Sequence, residues 1–310
     1  MAEGKIEVSI VTPFFNEEEV VNIFIDEICK VMDDTGCTYE IVCVNDGSCD
    51  GTLEKLISKK GNSGNIRIID LSRNFGKEAA LTAGIDHATG EVVIPIDADL
   101  QDPPELISEL LKKWREGYDV VLAKRGDRST DSFLKKFTAN LFYRMHNKIS
   151  DIQMPANVGD FRLMSRKVVN AIKQLPENQR FMKGVFSWVG FKTASVEYRR
   201  KKRVAGKTTF NGWRLWNLAL DGITGFSTVP LRIWLYIGVF ISFSSFIYAS
   251  FIVIRTIVQG IDVPGYASLL TFILFLGGIQ LIGIGVIGEY VGRIYMESKR
   301  RPPYIIDREY

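Results

Sequence analysis

Along the first part of the chain, short apolar runs rich in β-branched residues alternate with segments whose apolar positions recur every three or four residues. Residues 7–11, 40–44, 67–71, 91–96 and 119–123 are runs of the first kind and predict strands. Val20, Val21, Phe24, Ile25 and Ile28 share one helical face, and Asn16, with Glu19 three residues later, predicts the cap that starts that helix. Residues 78–87 predict a second helix, and Pro103 and Pro104 open a third over 105–115. Strand and helix at this rhythm predict an α/β domain built on a mostly parallel, doubly wound sheet, in which ligands bind beyond the carboxyl ends of the strands. Asn16-Glu17, Asn45-Asp46 and Asp97-Ala98-Asp99 lie at such ends.

The pattern then changes. Phe133, Phe137, Leu141, Phe142 and Met145 form an apolar stripe interleaved with Lys135, Lys136, Arg144 and Lys148. It fits either a helix packed on the sheet or one lying on a membrane surface, and the segments that follow favour the membrane. A second stripe, Phe210, Trp213, Trp216, Leu220, Ile223 and Phe226, carries two tryptophans, residues that prefer the headgroup region, and predicts an interfacial helix. Residues 233–254 and 263–288 hold no charge, and each meets the roughly 20 apolar residues that a helix needs to cross a bilayer. A short link over 259–266, with Gly260, Pro264 and Gly265, makes the two crossings a hairpin. Basic residues lie before it (199–203) and after it (Arg293, Lys299, Arg300, Arg301), whereas the link carries only Asp262, so both ends are expected on the cytoplasmic side. Gly277, Gly278, Gly283, Gly285, Gly288 and Gly292 are read as helix-packing positions, within or between subunits. The expected organisation is a catalytic domain over 1–207, an interfacial helix over 208–230, a hairpin over 231–292 (crossings near 233–254 and 266–288) and a cytoplasmic tail over 293–310.

Composition adds exclusions. The chain has 310 residues, 46% hydrophobic and 24% charged, with a net charge of +3, too small to imply a nucleic-acid partner. Cys29, Cys37, Cys43 and Cys49 show no CxxC spacing and read as free thiols in a reducing compartment. The polar start, residues 1–5, leads straight into a strand pattern and carries no secretory-signal pattern, which places the first domain in the cytosol.

The candidate chemistry sits in the polar clusters. Asp97 and Asp99, on alternate positions after a strand, can share a hard divalent cation with a diphosphate. Asn16, Glu17 and Asp46 offer acceptors for a uracil and a ribose, though each is also a common capping or turn residue. Gly47 and Gly51 do not make a GxGxxG fingerprint, so a hydride-transfer cofactor has no support. Lys124, Arg125 and Arg128, then Arg203 and Lys207, supply cations for anionic substrates.

These motifs occur in one order: Pro13-Phe14-Phe15-Asn16-Glu17, Asn45-Asp46-Gly47-Ser48, Arg73-Asn74-Phe75-Gly76-Lys77, Asp97-Ala98-Asp99-Leu100-Gln101-Asp102-Pro103 and Gly159-Asp160-Phe161-Arg162. Together they resemble the family 2 glycosyltransferases of GT-A (Rossmann-like) fold, in the polyprenyl-phosphate branch that includes dolichol-phosphate mannose synthases. Phe181-Met182-Lys183-Gly184, Asn211-Gly212-Trp213, Leu218-Ala219-Leu220 and the run over 282–290 resemble the bactoprenol (undecaprenyl-phosphate) glucosyltransferases of O-antigen modification in particular.

The resemblance implies a membrane-bound, inverting enzyme of the bacterial inner membrane that moves glucose from UDP-glucose to undecaprenyl phosphate with Mg²⁺ or Mn²⁺. It implies Asp160 and Asp99 as catalytic residues, and Pro13, Phe15, Asn16, Glu17, Asp46, Lys77, Asp97, Ala98 and Gln101 around the nucleotide sugar. Asp97, Asp99 and Gln101 would surround the metal, and Arg125, Arg128, Arg162, Arg203 and Lys207 the phosphates and acceptor. Asp160 stands at the family's base position; its plainer reading is a salt bridge to Arg162. A homo-oligomer, a lipid-glucose flippase and a downstream glucosyltransferase are the implied partners, for modification of O-antigen or other cell-surface glycans. Two positions depart from the pattern: Thr209 stands where a lysine is common after the basic loop, and Asn45 where the wider family often has Asp. No motif fixes the sugar, so mannose, GlcNAc or a modified arabinose stays open. A processive synthase lacks its usual Gln-x-x-Arg-Trp motif here, and a catalytically inactive scaffold is opposed by the intact Asp97, Asp99 and Asp160.

Overall fold

The computed structural model describes residues 5–62, 64–126, 155, 157–177, 180, 182–199, 224, 227–259 and 265–310. Both amphipathic stripes (133–145 and 210–226, apart from residue 224), Arg128, Phe181, the 200–203 part of the basic run with Arg203, Lys207, Asn211-Gly212-Trp213, Leu218-Ala219-Leu220 and the hairpin link over 260–264 lie outside the described residues.

The first half follows the expected alternation: β1 (Val8–Phe14), α1 (Val21–Thr35), β2 (Tyr39–Asn45), α2 (Thr52–Asn62), β3 (Ile66–Leu71), α3 (Lys77–His87), β4 (Val92–Pro95), a short 3₁₀ turn (Pro104–Leu106), α4 (Ile107–Arg115) and β5 (Val120–Arg125). Then come β6 (Val158–Ser165), α5 (Arg166–Lys173), α6 (Met182–Trp188), β7 (Thr193–Tyr198), two long helices α7 (Val229–Gln259) and α8 (Tyr266–Ser298), and β8 (Ile306–Glu309). The eight strands form one sheet in the order β7-β5-β6-β4-β1-β2-β3-β8.

β4, β1, β2 and β3 run parallel, as the sequence pattern requires. β6 is antiparallel to both β4 and β5, and β8 antiparallel to β3, so the sheet is mixed rather than simply doubly wound. Successive strand residues serve opposite faces, and both faces are covered, which explains the continuous apolar runs. Val8, Ile10 and Ile41 pack with α1 and α4 on one side; Val11, Val42 and Val44 pack with α3, α5 and α6 on the other. Gly84 lets α3 sit close on the sheet, since a Cβ there would come within 2.3 Å of Val11 Cγ1.

Asn16 does not cap α1. It takes a left-handed conformation (φ 53), and the helix starts five residues later, where the Glu17 carbonyl accepts the Val20 and Val21 N–H groups. Asn16 instead fastens the next loop: its N–H donates to Ser48 Oγ and its Oδ1 accepts the Cys49 N–H.

α7 and α8 each contain a stretch long and apolar enough to cross a membrane, Val229–Tyr248 and Phe275–Ser298. Gly283 faces Trp234 of α7, with a built Cβ 3.4 Å from the indole; Gly277, Gly278, Gly285, Gly288 and Gly292 meet nothing within 4 Å among the described residues. The Tyr290 hydroxyl donates to the Ser227 carbonyl at 2.6 Å and ties the base of α8 to the start of α7. α8 continues past the expected end of the apolar run, with Arg293 paired to Glu289 at 2.9 Å. The expected cytoplasmic tail is no loose end. Its last residues return to the catalytic sheet as β8, with Tyr304 and Ile306 packed against the α3 side of the core.

Candidate active site

The site lies at the carboxyl edge of the parallel strands. Glu17, Asn45-Asp46 and Asp97-Ala98-Asp99 follow β1, close β2 and follow β4. The reversed direction of β6 brings its first residues to the same edge: with Val92 opposite Ser165 and Val93 opposite Met164, the register carries Asp160 to the level of Asp97. A parallel strand there would have placed Asp160 at the far end.

The Asn45–Ser48 segment is a support built for the next loop. The Asp46 carboxylate is buried and accepts the N–H groups of Phe75 (2.7 Å) and Gly76 (3.0 Å), fixing the Arg73–Lys77 loop. Burial pushes the Asp46 carboxyl above its usual range despite those bonds. Gly47 has φ 63, and a Cβ there would lie 2.4 Å from the Arg73 carbonyl carbon, so the turn and the loop touch backbone to backbone. Asn45 donates from Nδ2 to Asp70 Oδ1 at 2.7 Å; the amide at this departure from the family pattern matches the carboxylate beside it.

Lys77, the first residue of α3, extends from that fixed loop into the acidic group. Its ammonium lies 2.7 Å from Asp97 Oδ1, 2.9 Å from Asp97 Oδ2 and 2.7 Å from Asp160 Oδ2. Burial works against the charged lysine, but the Asp160 and Asp97 carboxylates outweigh it and raise its pKa. Burial likewise favours the neutral Asp160, and Lys77 reverses this and holds Asp160 ionised, well below the usual carboxylate range. For Asp97, burial and the like charge of Asp160 prevail over Lys77, and the pKa rises. The plainer alternative for Asp160, a salt bridge to Arg162, is not formed. Arg162 is buried, stacks over Phe186 at 4.1 Å, and donates to the Gly159 (2.7 Å) and Asp160 (3.3 Å) carbonyls. It shapes the backbone that presents Asp160, and burial pushes its own pKa down to about 10.

Asp99 is buried, its Oδ1 accepting the Gln101 N–H at 3.1 Å, and Leu100 between them is left-handed (φ 53). A non-glycine residue held there is strained, as often found where a loop must aim ligands. Asp160 Oδ1 is buried without a hydrogen-bond partner among the described residues. Among the described residues no three His, Cys, Asp or Glu side chains form a complete metal cage. The donor set fits Mg²⁺ or Mn²⁺ nonetheless, because such ions take one or two carboxylates and complete their shell with water and substrate phosphate oxygens. Asp97 and Asp99 would hold the ion, with Gln101 alongside.

Arg125, at the end of β5, points over Gly159, whose absent side chain leaves room for the guanidinium (3.4 Å from a built Cβ). Its Nε donates to the Tyr198 hydroxyl at 3.3 Å, and that hydroxyl donates to Asp102, 3.9 Å from the Arg125 guanidinium. The pairing of Asp102 with Tyr198 is not legible in the sequence, since 96 positions separate them. Its one signal is the place of Asp102 within the Asp97–Pro103 motif. Of the other expected residues, Pro13 lies within β1, Phe15 beyond it is 46% exposed, the Glu17 N–H donates to Thr52 Oγ1, and Ala98 is buried.

The profile of glycosyl transferase family 2 matches residues 9–173, and that of the GtrB C-terminal hairpin matches residues 229–294. The chain is 57% identical over 305 residues to the bactoprenol glucosyl transferase of Shigella phage SfV, covering 98% of this chain and 99% of the phage protein. It is 56% identical over 304 residues to a prophage bactoprenol glucosyl transferase homolog of Escherichia coli K12, covering 98% and 99%. It is also 56% identical over 301 residues to an uncharacterized glycosyltransferase of Synechocystis sp., covering 97% and 95%.

Proposed function

Because the chain belongs to glycosyl transferase family 2, we propose that it transfers glucose from UDP-glucose to undecaprenyl phosphate, giving undecaprenyl phosphate-glucose and UDP. The observation that carries this reading is the acidic group of Asp97, Asp99 and Asp160 at the strand edge, with Asp99 buried and the other two partly so, in a chain with two helices long and apolar enough to cross a membrane. The relatives named as bactoprenol glucosyl transferases support the lipid and the sugar.

The acceptor is a phosphate monoester, largely dianionic near neutral pH because its second pKa is about 6. It is already a nucleophile. One of its oxygens attacks the glucose anomeric carbon as the bond to the UDP β-phosphate oxygen breaks, and the electron pair leaves with UDP. In-line attack inverts that carbon and gives a β-linked product. Asp97 and Asp99 would hold a Mg²⁺ or Mn²⁺ ion, which when bound would supply charge stabilisation for the leaving diphosphate. Asp160, kept ionised by Lys77, orients the acceptor or takes its residual proton. Arg125, steadied by Tyr198 and Asp102, offers a cation to the phosphates, and Arg128, Arg203 and Lys207 are further candidates. Pro13, Phe15, Asn16 and Glu17 border the nucleoside end; Asp46 acts through the loop it clamps.

The setting is the bacterial inner membrane with both chain ends cytoplasmic. The positive-inside pattern supports this, and so does β8, since a strand that rejoins the catalytic sheet requires an even number of crossings. A homo-oligomer, a flippase for the glucosylated lipid and a downstream glucosyltransferase complete the proposed pathway to O-antigen. The test is membranes bearing the protein, supplied with undecaprenyl phosphate, Mg²⁺ or Mn²⁺ and a panel of radiolabelled sugar nucleotides. Labelled lipid from UDP-glucose is expected. Label from another sugar nucleotide alone would replace the donor, and no labelled lipid from any would refute the enzyme reading.

A further inference from the structure

We propose that Lys77 is the exchangeable resident cation of the acidic pocket: it pairs with Asp97 and Asp160 while no donor is bound, and yields Asp97 to the divalent cation as its own charge passes to the donor diphosphate. This rests on the reading that Asp97 and Asp99 hold Mg²⁺ or Mn²⁺ together with a nucleoside diphosphate sugar.

Three features of Lys77 carry the inference. First, its ammonium contacts both oxygens of Asp97, at 2.7 and 2.9 Å, so a metal ion taking Asp97 meets a cation already paired with each of its oxygens and competes with it. Second, the same ammonium touches one oxygen of Asp160, and the other is buried with no hydrogen-bond partner among the described residues, so the pocket keeps an acceptor that Lys77 does not satisfy. Third, the backbone at Lys77 is anchored by neighbouring residues, whereas its side chain is held at its tip by the Asp97 and Asp160 carboxylates. Asp46 accepts the Phe75 and Gly76 N–H groups, and Gly76 at φ 95 turns the chain into α3. Beyond that anchor stands a flexible four-carbon stem, 44% exposed, ending in a point charge. An arginine fork in this place would bind Asp97 bidentately and resist exchange.

The exchange has a thermodynamic consequence. A bare divalent ion must displace Lys77 and strand its charge, so metal alone binds weakly. A nucleoside diphosphate gives Lys77 a new partner, so metal and nucleotide favour each other, and by linkage the coupling is reciprocal. A lysine that only neutralised the fold would behave otherwise: its loss would loosen the pocket and weaken metal binding.

The experiment measures Mn²⁺ binding by the loss of the free-ion electron paramagnetic resonance signal, on the detergent-solubilised full chain, with and without UDP. Lys77→Met should bind Mn²⁺ alone about tenfold tighter than the parent, and UDP should then improve its Mn²⁺ affinity by a correspondingly smaller factor. Lys77→Gln is the second variant should the first fail to fold. Lys183→Met is the control for bulk charge, because Lys183 also acts on Asp160; it should leave affinity for Mn²⁺ alone within about twofold. Unchanged or weaker binding of Mn²⁺ alone by the folded Lys77 variants, or equal tightening by Lys183→Met, would overturn the exchange role and leave the metal-dependent donor site standing. A parent protein that takes up no Mn²⁺ even with UDP would overturn both.

Discussion

Arg67 and Glu309, 242 positions apart along the chain, meet at 2.6 Å where β8 lies beside β3. The contact belongs to a larger seam. Ile68 and Tyr310 exchange backbone hydrogen bonds, the Ser72 N–H donates to the Ile305 carbonyl, and the Tyr304 hydroxyl donates to Asp86 at 3.0 Å. Since α7 and α8 separate β8 from the other strands, both ends of the hairpin are joined to one sheet. The catalytic edge is thereby tethered to the apolar helices at two points of the chain.

Removal of residues 304–310 is therefore expected to lower the stability of the catalytic domain by several kcal/mol, because it strips backbone pairing and the packed Tyr304 and Ile306. Glu309→Gln should cost less than about 1 kcal/mol, because the ion pair is half open to solvent. Its hydrogen bond to Arg67 lowers the Glu309 pKa, so that small contribution is present above the ordinary glutamate range and fades as pH falls through the lowered value. Thermal unfolding of the solubilised chain separates the two; a truncation as mild as Glu309→Gln would make β8 an ornament of the edge.

Asn45→Asp tests the support beneath the nucleotide edge. The substitution sets a second buried carboxylate at hydrogen-bond distance from Asp70, at a cost of about 2 to 4 kcal/mol. Adding Asp70→Asn restores an amide–carboxylate pair with the roles exchanged and should recover most of the loss in a double-mutant cycle. Additive losses would mean that the two side chains act separately.

Asp99→Asn removes a charge from the proposed metal site while keeping the size of the side chain and an acceptor for the Gln101 N–H. Lipid glucosylation should fall by about a thousandfold or more, with the melting temperature nearly unchanged. Substantial turnover at any Mn²⁺ concentration would take the metal role away from Asp99.

The parts legible in the sequence were those governed by local pattern. β1 to β5 announce themselves as β-branched runs, and the hairpin as two stretches without charge. Two acids on alternate positions are a weak signal alone, and Asp97 and Asp99 stand out because they follow a strand and sit among the other motifs. What escaped depends on distant partners. β6 carries Asp160 and Arg162 within a strand, and β8 reads Ile-Asp-Arg-Glu, with one apolar residue, so neither advertises itself. Strand direction is set by the neighbour a strand finds, and the antiparallel β6 is what brings Asp160 to Asp97. Asn16 was misread for a related reason: a short polar side chain caps a helix or clamps a loop equally well, and Ser48 and Cys49 decided which. The Arg162 guanidinium found two carbonyls and the Phe186 ring instead of a carboxylate, an outcome that only tertiary packing determines.

Glu78 gives the pocket a pH dependence with a definite sign. It follows Lys77 in α3, and its Oε2 accepts the Met182 N–H at 3.2 Å, joining α3 to α6. Burial, then the charge of Asp160, raise its carboxyl from the ordinary 4.5 to about 7, against the pull of Lys77. A carboxyl raised in the folded state is stabilising while protonated. Its contribution is fully present below the unfolded pKa and is lost as pH rises through the folded one, because the native state binds the extra proton between them. Stability of the metal-free protein should therefore decline between about pH 4.5 and 7 on account of this group. Glu78→Gln keeps an acceptor for Met182 and removes the titration. The variant should gain on the parent by on the order of 1 to 2 kcal/mol between pH 5 and pH 8, read as a widening gap in thermal unfolding. A gap that stays constant across that range would assign the titration to another group, and one that narrows would mean that Glu78 is stabilised as the anion by Lys77 more than burial opposes it.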